Sequence, residues 1–254
     1  MLDDDRVAVV TGGGTGIGRA TALALAGSGC RGVVVTYSRS AAEADATAAE
    51  LAAGGCEAVA ERVDVADDAL VRDLAERVRA RFGRVDVLVN NAGTTRAVPH
   101  HDLDALTDDV VHHVLDVNVV GPLRVTRAFA DDLRASRGAV VNISSISGYR
   151  AGGSSIAYGV SKAALLQLTR NLAVALAPEV RVNAVAPGTV ATRWQTSLHG
   201  EAGFAARAED ERRTVPLHRT ADPGHVAQAV LGLLAMEQVT GEAVIVDGGK
   251  HVRY

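Results

Sequence analysis

Val7-Ala8-Val9-Val10, followed by Thr11-Gly12-Gly13-Gly14-Thr15-Gly16-Ile17-Gly18, decides the reading of this chain. The first four residues belong to a short apolar run, Arg6–Val10, and an Ala/Leu-rich stretch, Arg19–Ala26, follows the glycines. A Gly-rich turn in this place has a physical purpose. A tight turn needs positive φ, and a side chain would hold a pyrophosphate away from the helix N-terminus. Free N–H groups and the helix dipole would then hold the negative charge. Between a first strand and an amphipathic helix, the motif points to a dinucleotide. A methyltransferase binding S-adenosylmethionine would place glycines similarly and is the competing class at this point.

Outward from that turn, short β-branched runs alternate with longer Ala/Leu-rich segments. Strands are predicted at Arg6–Val10, Gly32–Thr36, Ala58–Val65, Val85–Asn90, Gly138–Ser144, Val180–Val185 and Glu242–Val246. Helices are predicted over Arg19–Ala26, Ala41–Ala53, Asp67–Phe82, about Thr107–Arg134, Ala157–Leu176 and Gly224–Met236, with residues 187–221 irregular. The strands are mostly apolar rather than alternating, as strands buried on both faces of a parallel sheet should be. Repeated strand–helix units predict an α/β fold, a Rossmann-type doubly wound parallel sheet flanked by helices. No linker or composition shift divides the chain, so residues 1–254 read as one domain.

Composition removes several classes. A chain of 254 residues, 48% hydrophobic, can build a buried core and is not disordered. A net charge of −4 without a long basic run argues against a nucleic-acid partner. No stretch has the ~18 consecutive apolar residues of a membrane span. The opening Met1-Leu2-Asp3-Asp4-Asp5-Arg6 is acidic where a secretory signal starts positive. Cys30 and Cys56 show no CxxC spacing and read as reduced buried thiols of a cytoplasmic protein. Lysine is scarce: of 26 basic residues, only Lys162 and Lys250 are lysines.

Tyr158 and Lys162, four apart, share one face of a predicted helix. Ser144 and Ser145 end the fifth strand, at the edge where open α/β sheets bind ligands. Asn90-Asn91-Ala92-Gly93 closes the fourth strand at the same edge. A phenol titrates near pH 10 and is a poor acid or base at neutral pH. A neighbouring ammonium, with an oxidised nicotinamide, would favour the phenolate. Tyr158 could then exchange a proton with a carbonyl oxygen as hydride moves, while Ser145 stabilises the charge there. Arginine at 162 would be bulkier and could not release a proton. At the ribose end no acid follows the second strand. Ser38, Arg39 and Ser40 stand there instead, suited to a 2′-phosphate, so NADP(H) is favoured over NAD(H).

Over its whole length the sequence resembles the short-chain dehydrogenase/reductase family. The resemblance rests on TGGGTGIG at 11–18, NNAG at 90–93, Ser145 thirteen residues before the Tyr of YxxxK, and PGTVAT at 187–192. It implies a catalytic set of Asn118, Ser145, Tyr158 and Lys162. It implies cofactor contacts from Gly12, Thr15, Gly16, Ile17 and Gly18, from Asp64 and Val65 at the adenine, and from Tyr158 and Lys162 themselves. Asn91, Ala92 and Gly93 would steady the sheet and cofactor, and Pro187, Gly188, Val190 and Thr192 would hold the carboxamide. Two departures stand out. NADP-dependent members often carry Arg or Lys where this chain has Thr15, and the segment Leu233–Val239 is short.

The resemblance makes 193–216 a substrate loop, with Trp194 and Phe204 as candidates to close over a ligand. Arg96, Tyr149 and Arg150 would line the rest, and the arginines could meet an anionic substrate. The reaction implied is hydride transfer between NADP(H) and a small-molecule ketone or secondary alcohol. A 3-oxoacyl-thioester reductase is the nearest variant, and a non-catalytic dinucleotide-binding sensor or scaffold a different class. Val110, Val114 and Val117, with Leu165, Leu168 and Leu172, suggest apolar faces beyond what one sheet covers. The family pairs such helices across a two-fold, which implies a homotetramer, with a dimer second. His100-His101 and His112-His113 lack ligand spacing, so no metal is expected.

Overall fold

A computed structural model describes residues 5–252; the acidic leader at 1–4 lies outside them. The seven expected strands form one sheet: β1 (Val7–Val10), β2 (Gly32–Tyr37), β3 (Glu57–Arg62), β4 (Val87–Asn90), β5 (Ala139–Ile143), β6 (Arg181–Pro187) and β7 (Ala243–Val246). All pair in parallel in the order β3-β2-β1-β4-β5-β6-β7, so the chain reverses direction across the sheet between β1 and β4. Such a switch point opens a crevice at the carboxyl ends of the strands.

Burial follows the two-residue period of a strand. Val7 and Val9 enter one core with Val34, while Ala8 and Val10 enter the other with Val33 and Val35. The first core is covered by α3 (Asp68–Phe82), α5 (Gly121–Ala128), α6 (Ala130–Ser136) and α7 (Ile156–Ala175). The second is covered by α1 (Gly16–Gly27), α2 (Ala41–Ala53) and α9 (Pro223–Ala235). Phe129 is fully buried in the first, worth about 1.5–3 kcal/mol over an exposed site. The short segment after α9 packs through Arg181, whose guanidinium donates to the carbonyls of Leu233, Leu234 and Met236 at 2.9–3.0 Å. A cation there also suits the negative end of the helix. Among the described residues no helix is long and apolar enough to cross a membrane.

Three expectations are corrected. The helix expected over Thr107–Arg134 is broken into α4 (Asp108–Leu115), a π turn (Asp116–Val120), α5 and α6. Pro122 explains the π turn: it has no N–H to return to the carbonyl four residues back, that of Asn118, and Gly121 donates five back to Asp116 instead. Residues 187–221 are not irregular throughout, because Arg193–Thr214 forms α8, kinked at Gly200 with φ 68°. Finally, Val114, Val117 and Leu165 are buried within their own chain. The uncovered apolar side chains of this region are Val120, Leu123, Val160 and Val174.

Candidate active site

The glycine turn and the end of β4 are stitched together across the switch point. The Thr11 hydroxyl accepts from the backbone N–H of Asn91 and of Ala92, both at 3.0 Å. The Asn91 amide donates to the carbonyls of Thr11 (2.9 Å) and Gly12 (3.0 Å). Thr11 was absent from the sequence-derived set, although its place at the head of the turn was the available signal. Gly12 and Gly16 take φ of 63° and 53°. A Cβ at Gly18 would press on the Gly12 carbonyl and the Asn91 amide. Thr15 caps α1 without a side-chain bond, so it leaves the first N–H groups around Gly16, Ile17 and Gly18 open. A cradle of bare backbone before uncommitted helix donors fits a pyrophosphate.

Ser155 starts α7 by accepting from the N–H of Tyr158 at 3.2 Å. One turn on, Lys162 is only 5% exposed, and its ammonium donates to the Ile143 carbonyl at the end of β5, 2.8 Å away. The same nitrogen lies 5.7 Å from the Tyr158 ring centroid. Ser145 follows β5 and accepts from the N–H of Ser147 at 3.1 Å. Asn118, in the π turn, accepts from the N–H of Thr94 (2.8 Å) and donates to the Thr94 carbonyl (2.9 Å) and the Ser161 hydroxyl (3.0 Å). Gly93 sits between: a Cβ there would be 3.4 Å from Asn118 Oδ1 and 3.7 Å from Lys162 Nζ. Asn118, Ser145, Tyr158 and Lys162 thus meet at the carboxyl edge of β4 and β5. Below them Asn90 donates to Asn142, and Asn142 to Thr169, at 2.9 Å each.

Burial dominates the electrostatics. It pushes the Lys162 ammonium down to about 8. The same cause raises the Tyr158 phenol above its ordinary value, with the facing Ser145 hydroxyl acting downward. The lowering expected of the phenol calls for the oxidised nicotinamide as well as the lysine; in the protein alone desolvation is the larger influence and the Ser145 hydroxyl the opposing one.

Pro187 ends β6, and Gly188 donates to the Val246 carbonyl at 2.9 Å. Val190 is buried and bridges to Ala221, and Thr192 caps α8 beside Gly16. After β2, Ser38 and Arg39 are exposed, and Ser40 caps α2 with its hydroxyl uncommitted. Asp64 turns its carboxylate to the N–H of Ala66 at 3.0 Å, and Val65 is buried against Gly121.

The substrate candidates are not all brought together. Trp194, at the head of α8, has its ring 6.3 Å from that of Tyr158. Phe204 lies beyond the Gly200 kink and is half-buried. Arg96 is exposed, Tyr149 is 45% exposed beside the charges of Arg170 and Glu242, and Arg150 donates to the Lys250 carbonyl at 3.0 Å.

Comparison with known proteins supplies the family. The family model described as enoyl-(acyl carrier protein) reductase matches residues 12–251. A Streptomyces violaceoruber protein named as ketoacyl reductase 2 of the granaticin polyketide synthase is 46% identical over 247 residues, 97% of this chain and 96% of its own. A 3-oxoacyl-[acyl-carrier-protein] reductase of Synechocystis sp. is 38% identical over 249 residues, 96% of each chain. A solved structure of a tryptophan variant of actinorhodin polyketide ketoreductase with NADPH is similar at TM-score 0.89 and 31% identity, covering 99% of both chains. The chain belongs to the short-chain dehydrogenase/reductase family, oxidoreductases that act on CH–OH and carbonyl groups with a nicotinamide dinucleotide.

Proposed function

We propose that the protein reduces a ketone, or oxidises the corresponding secondary alcohol, with NADP(H) favoured and Tyr158 as general acid/base. The observation that carries this is the convergence of Asn118, Ser145, Tyr158 and Lys162 at one sheet edge, with Trp194 across from the phenol. The bound nicotinamide supplies the hydride. Tyr158, kept protonated by burial, donates to the carbonyl oxygen as negative charge develops there. Ser145 hydrogen-bonds the same oxygen. Lys162 feeds the phenol from behind, with Asn118 fixing the geometry of the proton path.

Gly12, Thr15, Gly16, Ile17 and Gly18 hold the pyrophosphate, and Asp64 and Val65 flank the adenine. Asn91, Ala92 and Gly93 support the cofactor's middle, and Pro187, Gly188, Val190 and Thr192 take the carboxamide. Ser38, Arg39 and Ser40 meet a 2′-phosphate: Arg39 is exposed and in no ion pair among the described residues, and the Ser40 hydroxyl is free at a helix N-terminus. The ketoreductase relatives support a 3-oxoacyl thioester as the substrate class. A sensor or scaffold would have no need of the Ser–Tyr–Lys cluster. The uncovered Val120, Leu123, Val160 and Val174 support the homotetramer, with a dimer second. The setting we propose is cytoplasmic.

The test is a panel of simple ketones and 3-oxoacyl thioesters with NADPH and with NADH. Thioester reduction favouring NADPH is the expected result, and no oxidation of either cofactor across the panel would reject the reading. The pH dependence follows from Lys162, which loses its proton as pH rises through about 8. Among the described residues no charged side chain shifts it; around it stand the Tyr158 ring, the Ile143 carbonyl and Asn118. kcat/KM for reduction should be flat below that pH and fall about tenfold per pH unit above it. A profile flat to pH 10 would remove Lys162 from the proton path.

A further inference from the structure

The second lysine stands in a built environment of its own. Glu211, near the end of α8, is 4% exposed. Its Oε1 accepts from the Thr189 hydroxyl at 2.6 Å and from the Lys250 ammonium, and its Oε2 from the Thr220 hydroxyl at 2.8 Å. Lys250 also donates to Thr189 at 3.0 Å. Burial pushes the Glu211 carboxyl up, yet these donors hold it below its ordinary value. The three segments so joined are the loop entering α8, the chain leaving it, and the turn after β7. Beside them Val190 bridges to Ala221, and the Ala191 N–H donates to the Ala221 carbonyl at 2.8 Å. The excursion carrying Trp194 is therefore closed at its base, with Gly200 as its one internal break.

We propose that Glu211, held by Lys250, is a positioning residue that pins both ends of the α8 excursion together and so fixes Trp194 and the Gly188–Thr192 loop against the nicotinamide end of the site. The inference rests on the assignment of that loop to the nicotinamide. A compact ammonium suits the pocket: it reaches two oxygens of different residues at a buried point, where a guanidinium fork would need more room.

Removing Glu211 alone takes the carboxylate from a half-buried ammonium, leaving it only the Thr189 hydroxyl, and destabilises the protein. The decisive variant is therefore Glu211→Met/Lys250→Met, which removes the buried carboxylate and its ammonium together and leaves the exposed Arg207 guanidinium, 3.7 Å from Glu211 Oε1, to solvent. Trp194 is the chain's single tryptophan, so its fluorescence reports the excursion without cofactor or substrate, and the result survives even if the carbonyl-reductase reading fails. In a double variant that melts within a few degrees of the wild type, acrylamide quenching of Trp194 should rise about twofold. The Kd for NADPH should rise about tenfold, equal to about 1.4 kcal/mol. Glu211→Ala should show the same two changes with a lowered Tm. A double variant of wild-type Tm with unchanged quenching, or with unchanged NADPH affinity, overturns the proposal.

Discussion

Tyr158→Phe lowers kcat for carbonyl reduction by about 10²–10⁴-fold, the span of a lost general acid, or roughly 2.7–5.5 kcal/mol of barrier. The substitution removes one oxygen and keeps the ring. The ring's 6.3 Å approach to Trp194 and its place over Lys162 therefore persist. The pyrophosphate cradle lies on another loop, so the Kd for NADPH should stay within about twofold, the loss falling on a transition-state interaction alone. Steady-state kinetics with fluorescence titration separates the two quantities. Full turnover in this variant would sink the mechanism. Loss of turnover together with loss of cofactor binding would show that the hydroxyl serves binding as well as proton transfer.

Arg39→Ala raises the Kd for NADPH by about 10–100-fold, since a hydrogen bond between charged groups contributes roughly 1.5–3 kcal/mol. NADH lacks the 2′-phosphate and should bind within about twofold of its wild-type value. The variant then exchanges preference rather than losing dinucleotides. The partners that remain, the Ser40 hydroxyl and the start of α2, keep some affinity for the phosphate. Parallel titrations with the two cofactors decide the matter, and equal losses for both would reject Arg39 as the discriminating group.

The parallel sheet was legible because its strands are buried on both faces, as Val33, Val34 and Val35 illustrate by dividing between two cores. That the proposed catalytic side chains would gather was legible because helical spacing puts Tyr158 and Lys162 on one face, and because Ser145 lies just past a strand end. Helix α8 escaped for the opposite reason. It is largely exposed and buries a glutamate rather than an apolar stripe, so hydrophobic period carried no signal. Its Ala-, Glu- and Arg-rich second half was the available clue, through helix propensity alone. The break at Asp116–Val120 was written in Gly121-Pro122, which the apolar period of the surrounding residues overrode. That same period correctly marked Val114 and Leu165 as facing something, but not whether it was their own core or a partner. The Glu211 cluster joins residues up to 61 apart in sequence, and no local pattern foretells it.

The scarcity of lysine has a consequence for how this protein meets alkali. Its surface cations are almost all guanidinium groups, which hold their charge to pH 12 and beyond. Burial carries the Cys30 thiol up to about 12 and raises Cys56 as well. The Lys162 ammonium, carried by burial to about 8, thus loses its charge well apart in pH from the guanidinium groups and the Cys30 thiol.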